Sequence, residues 1–207
     1  IAFARDAAFQ FTYPASLDLL QAWGADLLPF SPLEDATLPH GARAVLHGGG
    51  FPEVFAHELA ANTAMHEALR AAAAQGVPIY GECGGLMYLG RALTDADGTQ
   101  HAMAGLLPSA STMAGTRLTL GYREAESLGT PLLPAGERVR GHEFHYSTLV
   151  DAPQAASAAY RFLDDGEATR VDGVRAGSVT GTYLHTHLAA RPDLAPNLVA
   201  AALATPQ

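Results

Sequence analysis

Cys83 is the only cysteine in a chain of 207 residues. It stands in Gly81-Glu82-Cys83-Gly84-Gly85, between an apolar stretch from Val77 to Tyr80 and another from Leu86 to Leu89. Strand, tight turn and helix in that order make a nucleophile elbow, in which small residues two positions before and after the nucleophile let neighbouring chains approach closely. The Gly84 N–H, at the start of the following helix, would favour both a thiolate and a developing oxyanion. A buried cysteine serving as a small hydrophobe would not need these glycines. Glycine-flanked turns after strands also serve as phosphate or packing loops, so the motif alone leaves that reading open.

A cysteine nucleophile needs a base, most often a histidine supplied from elsewhere in the fold. Nine histidines compete for the role. His57 and His66 fall on a predicted helix and read as surface residues, His40 and His101 read as loop residues, and His47 ends a strand before Gly48-Gly49-Gly50. His142, His145, His185 and His187 are the stronger candidates, with His185 at the end of the strand Gly181 to Leu184. His185 and His187 would share a face of an extended chain. With His142 and His145 they could also be read as a metal site, but the spacing matches no standard zinc pattern and no metal is expected. The triple-glycine turn could be a phosphate cradle, a bare turn or a second oxyanion donor, and the last reading is favoured.

These groups need a scaffold. Ile1 to Ala4, Leu27 to Phe30, Ala42 to His47 and Val77 to Tyr80 read as strands. Pro14 to Trp23 and Glu53 to Gln75 read as helices, the second broken near Asn62. That alternation predicts a parallel sheet with helices on both faces and ligands at the carboxyl ends of the strands, where both glycine turns fall. Beyond about His101, candidate strands at 117–122, 139–145, 158–162 and 177–184 and a turn at Asp172-Gly173 suggest antiparallel pairing. A last helix is expected from Pro192 to about Leu203.

Apolar residues at 48% and charged residues at 16% describe a soluble globular chain, long enough for one domain with a sizeable core. No apolar run is long enough to span a bilayer. A formal charge of −9 argues against nucleic acid or an anionic membrane as partner. A lone cysteine fits a reducing cytoplasm. All twelve cationic side chains are arginine, which excludes a Walker A loop with its phosphate-binding lysine. The start at Ile1, inside a strand-like segment and with no leader, suggests a piece of a larger parent.

Four segments, Gly48 to Glu53, Gly81 to Leu89, Gly141 to Ser147 and Gly181 to His185, occur in an order that resembles the C-terminal glutamine amidotransferase domain of the cobyrinic acid a,c-diamide synthases. The resemblance extends over essentially the whole chain. It implies a flavodoxin-like three-layer α/β sandwich with a mostly parallel central sheet and antiparallel strands in the C-terminal half. It also implies a cysteine-type glutaminase joined to an N-terminal synthetase domain, absent from this chain, that would use ATP and Mg2+ to amidate the a and c carboxylates of cobyrinic or hydrogenobyrinic acid. This domain would itself need no cofactor.

By the same resemblance Cys83 would attack glutamine and form a glutamyl thioester, His185 would move the proton, and the amides of Gly50 and Gly84 would hold the oxyanion. Gly49, Glu53, His142, Glu143 and His145 are candidates for contacting the substrate. Related triad enzymes carry His-x-Glu, whereas here His187 follows His185 by two, so a Cys–His dyad is expected with no identified group orienting the base. A homodimer is left open. A stand-alone cysteine hydrolase and a non-catalytic docking module remain the alternatives.

Overall fold

A computed structural model describes residues 1–115, 117–163 and 170–205. Its central sheet is built from short, buried strands: β1 (Ala2–Ala4), β2 (Leu28–Phe30), β3 (Val45–His47) and β4 (Ile79–Glu82). Next in the chain come β5 (Ala92–Thr94), β6 (Gln100–Ala102), β7 (Ala110–Thr112), β8 (Thr119–Ser127) and β9 (Arg138–His145). The remaining strands are β10 (Thr148–Leu149), β11 (Tyr160–Phe162), β12 (Val171–Asp172), β13 (Val174–Ala176) and β14 (Val179–Thr182).

The main sheet has the order β13-β14-β4-β3-β1-β2. Every pair in it is parallel except the β13–β14 edge pair. Side chains on one strand alternate between its faces, so Ile79 joins the core on one side while Tyr80 joins the core on the other. On the Ile79 side lie α2 (Ala56–Ala61), α3 (Thr63–Ala74) and α4 (Gly84–Leu89), contributing Leu59, Met65, Leu69 and Leu86. On the Tyr80 side lie α1 (Pro14–Ala22) and α5 (Leu194–Ala204), contributing Leu20 and Leu198. A parallel sheet buried on both faces reads as continuous apolar runs, which is how β1 and β4 read in sequence.

The expected helix break near Asn62 is where α2 gives way to α3: the Asn62 Oδ1 accepts the Met65 N–H at 3.2 Å and caps the second helix. The antiparallel expectation holds for β8 with β9, paired from Thr119↔His145 to Glu126↔Arg138, and for β11 with its neighbours. It holds for β14 on one side only: β14 is antiparallel to β13 but also returns to the main sheet and runs parallel to β4 in the register Thr182↔Glu82. A second sheet, β10-β7-β5-β6, was not expected from the sequence; its strands of two or three residues are too short to show a period. Among the described residues no helix is long and apolar enough to cross a membrane.

Candidate active site

Cys83 follows β4 and precedes α4, and it is the only non-glycine residue with positive φ among those described, at φ 51° and ψ −103°. Such a conformation costs on the order of 1–3 kcal/mol and persists where the surroundings enforce it. The enforcing contacts are glycine contacts. A Cβ on Gly81 would lie 2.7 Å from Leu89 Cδ1 and 2.8 Å from the Gly85 carbonyl carbon, and one on Gly85 would lie 2.6 Å from the His47 carbonyl oxygen. Without side chains at these two positions α4 settles directly onto β3 and β4 and turns the thiol outward.

The thiol donates to the Phe144 carbonyl oxygen at 3.7 Å. Burial pushes it up to about 12; the Gly84 N–H acts in the opposite direction, and the Glu53, Glu82 and Asp172 carboxylates add to the rise. Burial thus favours the thiol over the thiolate, and a nucleophile at this position would have to be generated by removing its proton in place.

His185 lies just beyond the end of β14, the strand beside β4. Its backbone pairs with His142 through two hydrogen bonds, His142 N–H to the His185 carbonyl at 3.1 Å and His185 N–H to the His142 carbonyl at 2.8 Å. The two rings stack at 4.9 Å, tilted by 10°. This bridge fastens the β8–β9 pair to the carboxyl end of the main sheet. Burial, then the His142 and His145 rings, push His185 down to about 4, while the Phe144 carbonyl favours its protonated form. The carbonyl that accepts the Cys83 thiol thus also bears on His185. The imidazole Nε2 is buried with no hydrogen-bond partner.

Both residues line a cavity of about 440 Å³, together with Phe11, Tyr13, Gly50, Glu53, Met87, His142, Phe144, His145 and Tyr146. Of the sequence-derived candidates, Cys83, His185, Gly50, Glu53, His142 and His145 therefore meet here. Gly84 lies outside the lining but beside it: a Cβ on it would stand 3.1 Å from the Gly50 nitrogen. The amides flanking Gly50 are committed, Gly49 to the Phe11 carbonyl at 3.1 Å and Phe51 to the Ala8 carbonyl at 2.9 Å. Among the described residues Glu53 is the only carboxylate in the lining, and burial raises its pKa.

Gly49 lies outside the lining, against the imidazole, where a Cβ would be 3.1 Å from His185 Cε1. Glu143 is also outside it. It is completely buried and accepts from Arg123 Nε at 2.7 Å and from both terminal nitrogens of Arg170. Although its burial acts upward, these partners and His145 hold its carboxyl well below the usual carboxylate range. His187 caps a 3-10 turn, its Nδ1 accepting the Ala189 N–H at 3.0 Å. His145 stacks on Tyr183 at 3.9 Å and directs Nδ1 at the Ser147 carbonyl at 2.8 Å. The His145 ring lies flat on its neighbour while His187 is tilted by 48° against Tyr13, and no cluster suited to a metal occurs among the described residues.

Two histidine expectations need correction. His66 is not a surface residue: it is 3% exposed and packs on Tyr88, because its turn of α3 faces the sheet. His101 is in β6, not a loop, and pairs with Asp95 at 2.7 Å.

Two carboxylates that shape the site carried no role in the sequence reading. Asp6 accepts from the amides of Ala8, Phe9 and Leu33 and from the Ser31 hydroxyl, holding the loop against which Gly50 rests. Asp172, legible only as half of an Asp-Gly turn, accepts from the Thr182 hydroxyl and from the amides of Tyr183 and Leu184, the run leading into His185. An acidic residue at a strand end is the available sequence signal in both cases. Ala8 and Phe9 follow Asp6 closely, but Ser31 and Leu33, like the donors to Asp172, come from other segments and leave no spacing to read.

The CobB/CobQ-like glutamine amidotransferase domain model matches residues 1–193. A cobyrinate a,c-diamide synthase of Salmonella typhimurium is 47% identical over 206 residues, 98% of this chain and 44% of that protein. One from Synechocystis is 44% identical over 205 residues, 99% of this chain and 42% of that protein. The chain thus spans less than half the length of these relatives. The fold recurs in the structure of PurLQS from Thermotoga maritima, with a TM-score of 0.65, 18% identity, and coverage of 98% of this chain and 96% of that one. It also recurs in a glutamine amidotransferase crystal structure, with a TM-score of 0.61, 16% identity and 98% of each chain covered. By family match, identity and fold, the chain belongs to the CobB/CobQ-like glutamine amidotransferase domains, with a flavodoxin-like α/β architecture.

Proposed function

We propose that this domain hydrolyses glutamine to glutamate and ammonia by covalent catalysis at Cys83. The observation that carries the reading is Cys83 on a strained turn, opening with His185 and Gly50 onto one cavity, with Gly84 packed beside Gly50. His185 takes the thiol proton as sulfur attacks the side-chain amide carbon. The oxygen of the tetrahedral intermediate is held by the Gly50 and Gly84 amides. The C–N bond then breaks, His185 returns the proton to the leaving nitrogen, and a glutamyl thioester and ammonia result. Water, deprotonated by His185, resolves the thioester to glutamate and regenerates the thiol.

Glu53, as the only acidic group in the lining among the described residues, suits the substrate's α-ammonium, with His142 and His145 beside it and Gly49 shaping the base. In this reading Glu143 acts as a brace for β9, not as a substrate contact.

The relatives' name and length support a wider reading, in which an N-terminal synthetase domain uses ATP and Mg2+ to activate the a and c carboxylates of cobyrinate or hydrogenobyrinate, and ammonia from this domain amidates them in the cytoplasm. The test is glutamate release from glutamine by wild type, Cys83→Ala and His185→Ala, with labelling by a glutamine-like electrophile. Turnover and labelling that vanish in Cys83→Ala support the glutaminase. A wild-type chain that neither turns over nor is labelled, even with the synthetase domain of a relative added, overturns it in favour of a different hydrolase or a docking module.

A further inference from the structure

A catalytic imidazole works when a third group holds its orientation and supports the charge it acquires. His187 does not serve, since its ring caps the following turn. Glu82 is placed to do so. It lies immediately before the nucleophile, and because side chains alternate along β4 it leaves the sheet on the Tyr80 face. One carboxylate oxygen accepts the Thr186 N–H at 3.0 Å, gripping the residue after the base, while the other lies 3.8 Å from His185 Nδ1. Glu82 is absent from the lining of the Cys83 cavity and borders instead a separate cavity of about 50 Å³ behind it, with Tyr80 and Thr186 among its walls. It therefore reaches the base from behind and would not meet a substrate.

We propose that Glu82 is the positioning carboxylate of this site, orienting His185 and stabilising its protonated form as Cys83 gives up its proton. The inference rests on the reading of Cys83 as nucleophile and His185 as base. Burial disfavours the charged form of each group alone, raising Glu82 and lowering His185, so the pair shares one proton, and with that proton on the imidazole Glu82 is the ionised partner. A proton arriving on the imidazole creates the charge that an ionised Glu82 would stabilise, and the two groups titrate as a pair. Among the described residues, the other titratable groups bearing on this pair, His142, His145, Cys83, Tyr13, Tyr80 and Tyr160, remain when Glu82 alone is changed. A separation of 3.8 Å exceeds a hydrogen bond, as is common for catalytic contacts before substrate closes the site.

The experiment compares wild type with Glu82→Gln, which keeps an oxygen for the Thr186 N–H, and with Glu82→Asp, which keeps the charge. His185 is titrated by NMR on histidine-labelled protein, its signal assigned with His185→Gln, and kcat and KM for glutamine are followed against pH. In Glu82→Gln we expect His185 to take its proton at lower pH by at least about one unit and kcat to fall on the order of 10²-fold. The acid limb of the kcat profile should move down with it while KM stays within about threefold, with part of the loss recovered in Glu82→Asp. A purely structural role would lower stability without moving the titration. If wild type hydrolyses glutamine and the His185 titration and kcat are unchanged in Glu82→Gln, the proposal is overturned while the glutaminase stands. A moved titration in a chain that never hydrolyses glutamine would uphold the pairing and defeat the glutaminase instead.

Discussion

His47 and His185 stand at the carboxyl ends of β3 and β14, the two strands that flank β4, and both are buried, at 1% and 7% exposure. Burial depresses both, His47 to about 3 and His185 to about 4. Their surroundings differ in kind. His47 is enclosed by the rings of Phe9, Phe30 and Tyr88, with neither nitrogen hydrogen-bonded. His185 has a carbonyl, a carboxylate and a second histidine about it and opens onto the Cys83 cavity. Burial alone thus makes a neutral histidine; polar neighbours and access to a nucleophile make one that can exchange a proton. The former is a packing group on the wall behind Gly85, the latter a candidate base.

The contrast is broken most directly by activity. His185→Ala should lower glutamine turnover by at least about 10³-fold, as expected when one member of a nucleophile–base unit is removed, whereas His47→Phe should leave kcat within about threefold. Equal losses in a glutamate-release assay would sink the distinction. Next in size is Gly85→Ala, whose new methyl meets the His47 backbone. It should cost about 1–3 kcal/mol in denaturant unfolding, because backbone cannot give way as a side-chain tip can. Glu143→Gln should cost roughly 1–2 kcal/mol by the same measurement, discounted because Arg170 is half exposed and can return to solvent. A loss of turnover far beyond that of stability would instead place Glu143 in substrate binding.

The smallest effect is one of pH. His47 is protonated near pH 6.5 in the unfolded chain and only near 3 in the folded one, so unfolding takes up a proton between those values and stability falls as pH falls through that window. Glu143 has a depressed carboxyl, so its contribution is present above the ordinary carboxylate range and is lost on further acidification. His47→Phe should therefore flatten the upper part of the acid decline, from about pH 6.5 downward, in midpoint urea measurements. An unchanged slope would mean that His47 finds a polar partner.

Much of this was legible in the chain. The elbow is local, so Gly81, Cys83 and Gly85 disclose it by spacing, and the strand end at His47 follows from an apolar run stopped by glycines, whereas the strand expected to reach Leu184 ends at Thr182. The break at Asn62 was visible because capping is also local. What escaped was non-local. The burial of His66 depends on how α3 meets Tyr88, and the sheet β10-β7-β5-β6 depends on pairing between fragments too short to carry a pattern. Glu82 was in plain sight beside the nucleophile, but nothing in its spacing says that it faces a histidine 103 residues further on.

The sequence by itself determined the class of chemistry and the layered α/β plan, because nucleophile, turn glycines and hydrophobic period are properties of contiguous segments. Only the tertiary structure decided that His142, His145 and His185 line one cavity with Cys83, that the Glu82 carboxylate lies 3.8 Å from His185, and that Glu143 is bound by arginines outside the cavity. Those outcomes depend on strand order and register, chiefly the return of β14 beside β4, and that pairing brings together residues about a hundred positions apart that no local pattern links.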